Sequence, residues 1–458
     1  MDDRTREFVQ TFQSFLRDVV NQTPTGDDRL TSFGELAEAH LGESIRRLPV
    51  VTHVVAPHRL VDLDVALSSL AAEAGVPARG ISGGQQREHI GLPELLINPF
   101  ARFADGPVDY VSIPDGPASA RQVVSFGYYT LDVDGVPLVA LQRQAMPERG
   151  RNSATLEVLT ADPTTATRFL EEIEGRMLRL SVLRGRVLSF TGNMYGHTAA
   201  GTTFLPRPSV EADDVILPPG VLESVVRHVV GIGEHRERLQ GAGQHLKRGV
   251  LLYGPPGTGK TLTVRHLLSR TTDSTAVLLT GSSIQFISEA ADLARAMQPA
   301  IVVLEDVDLV AGERGMHGAP QPLLFAILDA LDGLDGDADI TFLLTTNRID
   351  VLERALAERP GRIDLAVEIP LPDGGARRRL FRRYGVGLPL SQSALDAAAD
   401  RAEGTTGSFA KELVRRAVLA AAERGRDVTD DDLALALDGL LASGAQLSRD
   451  LLGGGTGE

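Results

Sequence analysis

Residues 254–261 have the types and spacing to bind phosphate. They follow the apolar run at 249–253, precede a helical pattern that starts near Leu262, and read Gly254-Pro255-Pro256-Gly257-Thr258-Gly259-Lys260-Thr261. A strand, a glycine-rich turn and a helix are the setting in which this motif cradles a triphosphate. Glycines let successive N–H groups converge on an anion, and the helix points its positive end at it. The chain is therefore expected to bind a nucleoside triphosphate.

Two side chains of this segment have specific roles in that interpretation. Lys260 would reach the β and γ phosphates, and the Thr261 hydroxyl would ligate Mg²⁺. The alternative is a tight strand-to-helix turn with a surface lysine, which the joint spacing disfavours. The predicted nucleotide-binding residues of this segment are Gly254, Pro255, Pro256, Gly257, Thr258, Gly259, Lys260, Thr261 and Leu262.

Acidic residues end the apolar run at 300–304: Glu305 and Asp306 come next, and Asp308 follows shortly after. Carboxylates at the end of a buried strand are costly unless a cation or a water network meets them. One of Glu305 and Asp306 would hold Mg²⁺, and the other would orient and deprotonate the attacking water. The alternative is a solvated strand end that carries acidic residues.

Three further polar residues could complete the chemistry. Asn347 follows the apolar run at 341–345, where its amide either holds the lytic water and senses the γ-phosphate or only caps a turn. Arg359 and Arg362 carry guanidinium groups that suit a transferring phosphoryl group, and such an arginine from a neighbour accelerates GTPases by about 10³–10⁵. Their alternative role is an ion pair within the chain.

Short apolar runs alternate with helical patterns after residue 220 and must position these residues. The runs at 250–253, 276–280, 300–304, 341–345 and 365–369 predict parallel strands covered on both faces. The resulting fold class is α/β, a parallel sheet followed by an all-helical lid and preceded by an α+β domain. The predicted domains are an N-terminal region (1–205), a linker (206–220), a nucleotide-binding domain (221–372), a lid (373–445) and a flexible tail (446–458).

Composition limits the remaining possibilities. The 458 residues include no cysteine, which excludes disulfides, thiolate catalysis and cysteine-based zinc sites. A net charge of −15 makes nucleic acid an unlikely partner. The acidic start is not a secretory signal, and no apolar run approaches the roughly 20 residues that span a bilayer. We expect a cytoplasmic protein without a membrane span. The arginines at 377–379, 382 and 383 are expected to form a solvated helix face or to face an acidic neighbour.

Together these motifs resemble the AAA family of ATPases over residues ~214 to ~440. The phosphate loop, the strand ending in Glu305-Asp306, the triplet ending in Asn347 and the stretch from Arg359 to Asp364 occur in that family's order. Residues 404–408, with Gly407 and Ser408, resemble its second sensor near the nucleotide, and residues 328–333 resemble the segment before the fourth strand. The resemblance implies a P-loop NTPase fold, ATP and Mg²⁺ as cofactors, and a homo-oligomeric ring, usually a hexamer.

The resemblance also implies a role for each region. Arg359 and Arg362 would reach the next subunit's ATP, and turnover would drive remodelling or threading of a protein client that the N-terminal region selects, directly or through an adaptor. The rival functions are a ring-forming conformational switch or assembly chaperone that threads nothing, and a nucleic-acid-directed ATPase. Acidic balance and few stacking aromatics disfavour the last.

The chain departs from the family in three places. The family has Asp before Glu where this chain has Glu305 before Asp306, an order that resembles the branch containing the mitochondrial Rieske-protein translocase, although no membrane span is predicted here. If Asp306 is the base, its carboxylate sits about 1.5 Å further back, so we expect a backbone shift there. Phe286 lies where a pore loop would carry its aromatic, but no glycine follows it. It either grips a client or packs as helix core. Third, Ser408 replaces a frequent alanine.

Overall fold

The computed structural model describes residues 11–12, 29–84, 87–98, 100–191, 201–308, 329–330, 337–349 and 363–442. The chain divides into two units. The first comprises 1–182 with 193–201, and the second comprises 183–192 with 202–458. Among the described residues, no helix combines the length and the apolar character that crossing a bilayer requires.

In the first unit, described strands form an antiparallel sheet in the order β1-β7-β6-β5-β4. These strands are β1 (Val50–Val55), β4 (Asp109–Pro114), β5 (Ala120–Val133), β6 (Val136–Arg143) and β7 (Ala154–Thr160), and β2 (Gly80–Ser82) pairs separately with β3 (Ala104–Gly106). The described helices of this unit are α1 (Ser32–Leu41), α2 (Leu60–Glu73), α3 (Leu92–Leu96) and α4 (Pro163–Arg179). The predicted α+β character of this region is confirmed.

The turn between β5 and β6 follows its sequence signal. Val133 pairs with Val136, and between them Asp134 and Gly135 have φ of 54° and 83°. Two left-handed residues match the twist of a hairpin, and Asp-Gly tolerates that conformation. Strands β5 and β6 therefore form a hairpin with a two-residue Asp-Gly turn.

Apolar side chains of the first unit collect into two clusters. One includes Leu63 and Leu67 of α2 with Phe169 and Ile173 of α4. The other includes Phe33 of α1 with strand and loop residues. Each fully buried side chain of this size contributes about 1.5–3 kcal/mol relative to exposure.

In the second unit, the described strands form one sheet in the order β14-β10-β13-β12-β11-β8-β9. The strands are β8 (Val187–Thr191), β9 (Gly201–Leu205), β10 (Arg248–Tyr253), β11 (Thr275–Thr280), β12 (Ala300–Glu305), β13 (Ile340–Thr346) and β14 (Leu365–Glu368). Strands β14, β10, β13, β12, β11 and β8 pair in parallel, and β10 to β13 are buried along nearly their whole length. The parallel sheet predicted from the apolar runs is confirmed.

Helices and turns connect these strands. They are α5 (Val221–Val226), a π-helical segment (Arg227–Gly231), α6 (Ile232–Glu234), α7 (Arg236–Gly241), α8 (Lys260–Arg270), a 3₁₀ segment (Gly281–Phe286) and α9 (Ile287–Ala296). After the sheet come α10 (Gly374–Tyr384), α11 (Gln392–Arg401), α12 (Gly407–Ala422) and α13 (Asp430–Leu441), which share an apolar core around Phe381 and Phe409. The last helix begins with a capping box of Thr429 and Asp432.

The sheet differs from the sequence expectation at its outer edge. Strands β8 and β9 lie before residue 205, where the N-terminal region was expected to end, yet β8 pairs with β11 through Val187 and Ala276. Their position depends on tertiary pairing with a strand some 90 residues later, which a local apolar pattern does not encode.

The segment expected to be a linker also packs. Arg207 donates to four carbonyl oxygens, those of Gly185, Leu268, Thr271 and Ser274, at 2.7–3.2 Å. Further along, Val215 and Leu217 are buried in the core of the second unit. The pairs of prolines in this segment end regular structure, but the apolar residues between them are bound to the domain.

Candidate active site

The phosphate-loop segment lies between β10 and α8. Gly254, Gly257 and Gly259 have φ of 141°, 77° and 115°, values that residues with a side chain rarely adopt. A Cβ on Gly254 would lie 2.2 Å from the carbonyl oxygen of Ile369, so this position has no room for one. Helix α8 begins at Lys260, directly after the last of these glycines. The sequence folds here into an open turn whose amides lead into a helix N-terminus.

The predicted lysine is held inside this turn. Lys260 is only 5% exposed. Its Nζ donates to the carbonyl oxygens of Gly254 and Pro255, both at 2.8 Å. Burial lowers the pKa of Lys260, whereas the charges of Asp306 and Asp308 raise it. The Lys260 amine therefore lies within the turn, near the carboxylates of Asp306 and Asp308.

Two of the predicted metal ligands, Glu305 and Thr261, are neighbours. Glu305 is the last residue of β12, and Thr261 is the second residue of α8. The pKa of the Glu305 carboxyl is raised, first because the group is buried and also because of the charge of Asp306. A hydrogen bond with Thr261 offsets part of this rise. Hydroxyl and carboxylate oxygens are the ligands that Mg²⁺ prefers, so this pair fits that ion.

Asp306 and Asn347 are in direct contact. The Asn347 Nδ2 donates to Asp306 Oδ1 at 3.2 Å, and the backbone N–H of Asp306 donates to Thr345 Oγ1 at 3.0 Å. Asp306 has a φ of 53°, a left-handed conformation that Asp adopts more readily than most residues. Asp306 is the residue at which we expected the backbone to shift, and its backbone has this left-handed conformation.

The lid contributes the second predicted pair, Gly407 and Ser408. Thr406 caps α12, and the N–H of Ser408 donates to the Gly257 carbonyl at 3.3 Å. A cavity of about 440 Å³ lies between the loop and the lid. Of the predicted residues, the lining includes Pro256, Gly257, Thr258, Gly259, Lys260, Thr261, Leu262, Asp306, Asn347, Gly407 and Ser408.

Other residues of this cavity were not foreseen. They are Asp214, Val215, Ile216, Leu217, Arg265, Leu380, Tyr384 and Lys411. Arg265 follows Thr261 by four residues on α8, so helical spacing could have found it. The residues at 214–217 gave a weaker signal, because the neighbouring prolines indicated a linker. A cradle of amides, a buried lysine, metal-type oxygens and an apolar wall suit a nucleoside triphosphate with Mg²⁺.

Four other sequence expectations concern further segments. Arg359 and Arg362 lie outside the described residues, as do most of 328–333 and the tail. Phe286 is half-buried, and its ring centroid lies 5.9 Å from that of Phe190 on β8.

The arginines of α10 bind within their own unit. Arg378 pairs with Asp400, Arg382 with Asp396 and Arg383 with Asp214. Arg377 and Arg379 donate to backbone carbonyls. The side chains of Arg378, Arg382 and Arg383 are 46–49% exposed, which agrees with the expected solvated helix face.

Comparison with known proteins agrees with this geometry. Residues 250–371 match the model of the ATPase family associated with various cellular activities (AAA). The chain is 33% identical over 300 residues to the ATP-dependent zinc metalloprotease FtsH 2 of Sphaerobacter thermophilus, covering 60% of this chain and 46% of that protein. It is 31% identical over 255 residues to the proteasome-activating nucleotidase of Methanocaldococcus jannaschii, covering 51% and 58%. The chain thus spans about half the length of such relatives.

Proposed function

We propose that this chain, whose residues 250–371 match the AAA family of ATPases, binds ATP with Mg²⁺ and hydrolyses it to ADP and phosphate. The observation that carries the proposal is one continuous site. A glycine turn opens α8 at Lys260, and the strand ends that bear Glu305, Asp306 and Asn347 adjoin it. Since ATP is its proposed substrate, we place the protein in the cytoplasm.

Each residue has a role in this proposal. Lys260 and the loop amides bind phosphate, while Thr261 and Glu305 hold Mg²⁺, which would neutralise phosphate charge when bound. Asp306 acts as the general base, and Asn347 orients its carboxylate and the attacking water. Lys260 Nζ donates to the Gly254 carbonyl, and in the proposed complex with ATP it would donate to a phosphate oxygen.

The first test compares ATP turnover and nucleotide affinity in three variants of the full chain and in the parent. Asp306→Asn is expected to lower kcat by about 10²–10⁴ and to leave nucleotide binding nearly intact, because only the base is lost. Lys260→Ala is expected to weaken binding itself. Asp292→Asn, at an exposed carboxylate on α9, is the control and should match the parent. Full turnover in Asp306→Asn would disprove the base assignment.

We further propose that protomers share each ATP in a homo-oligomeric ring, usually a hexamer, with Arg359 and Arg362 acting on the neighbour's site. The test mixes two inactive proteins, Asp306→Asn and the double variant Arg359→Ala/Arg362→Ala. Mixed rings contain interfaces with an intact base on one side and intact arginines on the other, so turnover should reappear. The control mixes Asp306→Asn with Lys260→Ala/Arg359→Ala/Arg362→Ala, which provides no such interface. A monomer that keeps full activity without both arginines would rule out the shared site.

We also propose that turnover remodels a protein client that the first unit binds, directly or through an adaptor. The names of the relatives support it, since they describe an ATP-dependent protease and a proteasome activator. A pull-down with the first unit against the full chain would identify the client.

A non-threading conformational switch or assembly chaperone is the second candidate. The observation that favours it is the packing of Phe286 on Phe190, which engages the aromatic expected to grip a client. The test measures unfolding of a fluorescent protein with an unstructured tail beside ATP turnover. Loss of unfolding in Phe286→Ala alone, with Phe190→Ala active, would support threading. Equal behaviour of both variants would support a packing role and the switch.

A further inference from the structure

The end of β12 carries an acidic residue with no assigned role in catalysis. Strands β12 and β13 are parallel neighbours with Leu304 opposite Leu344. The residues that follow each strand therefore leave the sheet side by side, and Asp308 comes three residues after the end of β12.

Asp308 holds the backbone that follows β13. Its Oδ1 accepts from Thr346 Oγ1 at 2.9 Å and from the backbone N–H of Asn347 at 3.0 Å. Thr346 Oγ1 in turn accepts from the N–H of Arg348 at 3.0 Å. One carboxylate oxygen thus fixes the segment on which the Asn347 side chain is mounted.

That segment determines where the Asn347 amide lies. Its Nδ2 is 3.2 Å from Asp306 Oδ1, and Asp306 itself is tied to Thr345 through its N–H. Both Thr345 and Thr346 are buried, at 1% and 0% exposure. A buried hydroxyl and a backbone N–H without an acceptor are costly, so loss of the Asp308 carboxylate would make the segment move to find new partners.

We infer that Asp308 is a positioning residue for ATP hydrolysis, which it serves by holding Asn347 against Asp306. The inference rests on the proposed function. Catalytic groups displaced by about 1 Å can lose about 10²-fold in rate, so Asp308, which does not line the cavity, can still control turnover.

The test uses Asp308→Ala and Asp308→Asn in the full chain. The alanine variant is expected to lower kcat by about 10- to 100-fold and to change the nucleotide Kd by no more than about twofold. The asparagine variant keeps an Oδ1 acceptor and removes the charge, so its kcat is expected to stay within about threefold of the parent. A loss of nucleotide binding equal to the loss of kcat in both variants would overturn the inference.

A double-mutant cycle separates positioning from general stability. Because Asp308 acts through Asn347, Asp308→Ala should cost no more than about twofold in an Asn347→Ala background. A full additional loss in that background, or no loss from Asp308→Ala alone, would disprove the role. Thr346→Val removes one of the two donors to Asp308 and should give a smaller loss of kcat, which keeps the test decisive if the alanine variant does not fold. Absence of turnover in the parent would instead refute the proposed function.

Discussion

Asp306 combines a short carboxylate with a left-handed backbone. Its N–H binds the Thr345 hydroxyl, and its Oδ1 binds the Asn347 amide. The order Glu305-Asp306 therefore gives the longer acid to the Thr261 side of the site and the shorter one to the Asn347 side. The residue types at these positions could be identified from sequence, but the backbone conformation could not, because it depends on hydrogen bonds from the next strand.

His58 makes the stability of the first unit depend on pH. Burial, and then the charge of Arg59, lowers the pKa of His58 to about 4. The neutral ring is therefore favoured in the folded state. Its stabilising contribution is complete above the unfolded pKa of about 6.5 and is lost as pH falls toward 4.

Hydrogen exchange measures this effect. We expect protection of the β5 and β6 amides to fall between pH 6.5 and 4, after correction for the intrinsic exchange rate. His58→Gln removes the titrating group and should flatten this dependence, whatever its effect on stability at neutral pH. An unchanged pH profile in that variant would assign the effect to other groups.

At the scale of elements, the contact between the phosphate-loop segment and α12 depends on a glycine. A Cβ on Gly257 would lie 2.7 Å from Ser408 Oγ and 2.9 Å from Ser408 Cβ. Gly243 has a similar φ of 69°, but its Cβ would meet nothing within 4 Å. An alanine at either position would have a strained left-handed backbone, but only the one at 257 would also collide with Ser408.

Gly257→Ala is therefore expected to weaken nucleotide binding by at least about tenfold, whereas Gly243→Ala should cost only about 1–2 kcal/mol of stability. Titration with a fluorescent nucleotide and thermal melting measure the two effects. Ser408→Gly should partly restore binding to the Gly257→Ala variant. Equal affinities of the two alanine variants would show that the contact with the lid does not matter.

The elements of the second unit were predictable to different degrees. The apolar runs that begin near Val250, Ala276 and Ala300 identified strands, because a parallel strand buried on both faces is apolar throughout. The role of β8 was not predictable, since its partner β11 is chosen by packing. Likewise, Arg207 appeared to lie in a linker, although its guanidinium binds four carbonyls.

At the scale of the whole molecule, each unit has its own apolar core. The sequence predicted an α+β region before the nucleotide-binding domain, and the two folds agree with that order. The site of the second unit could be predicted because its motif is local. The first unit has no comparable motif, so its role follows only from experiment.

The pairing of β8 with β11 determines where the gene can be divided. A fragment of residues 206–458 would leave the edge of β11 unpaired at Ala276–Leu278 and would remove Phe190 from beneath Phe286. Bare strand edges template aggregation, so this fragment should be insoluble or should precipitate on heating, while 183–458 should remain dispersed. Light scattering of both fragments at one concentration tests this outcome. Any chimaera that exchanges the N-terminal part of this protein must therefore be joined near residue 183. A later junction would leave the second unit without the edge strands β8 and β9 of its sheet.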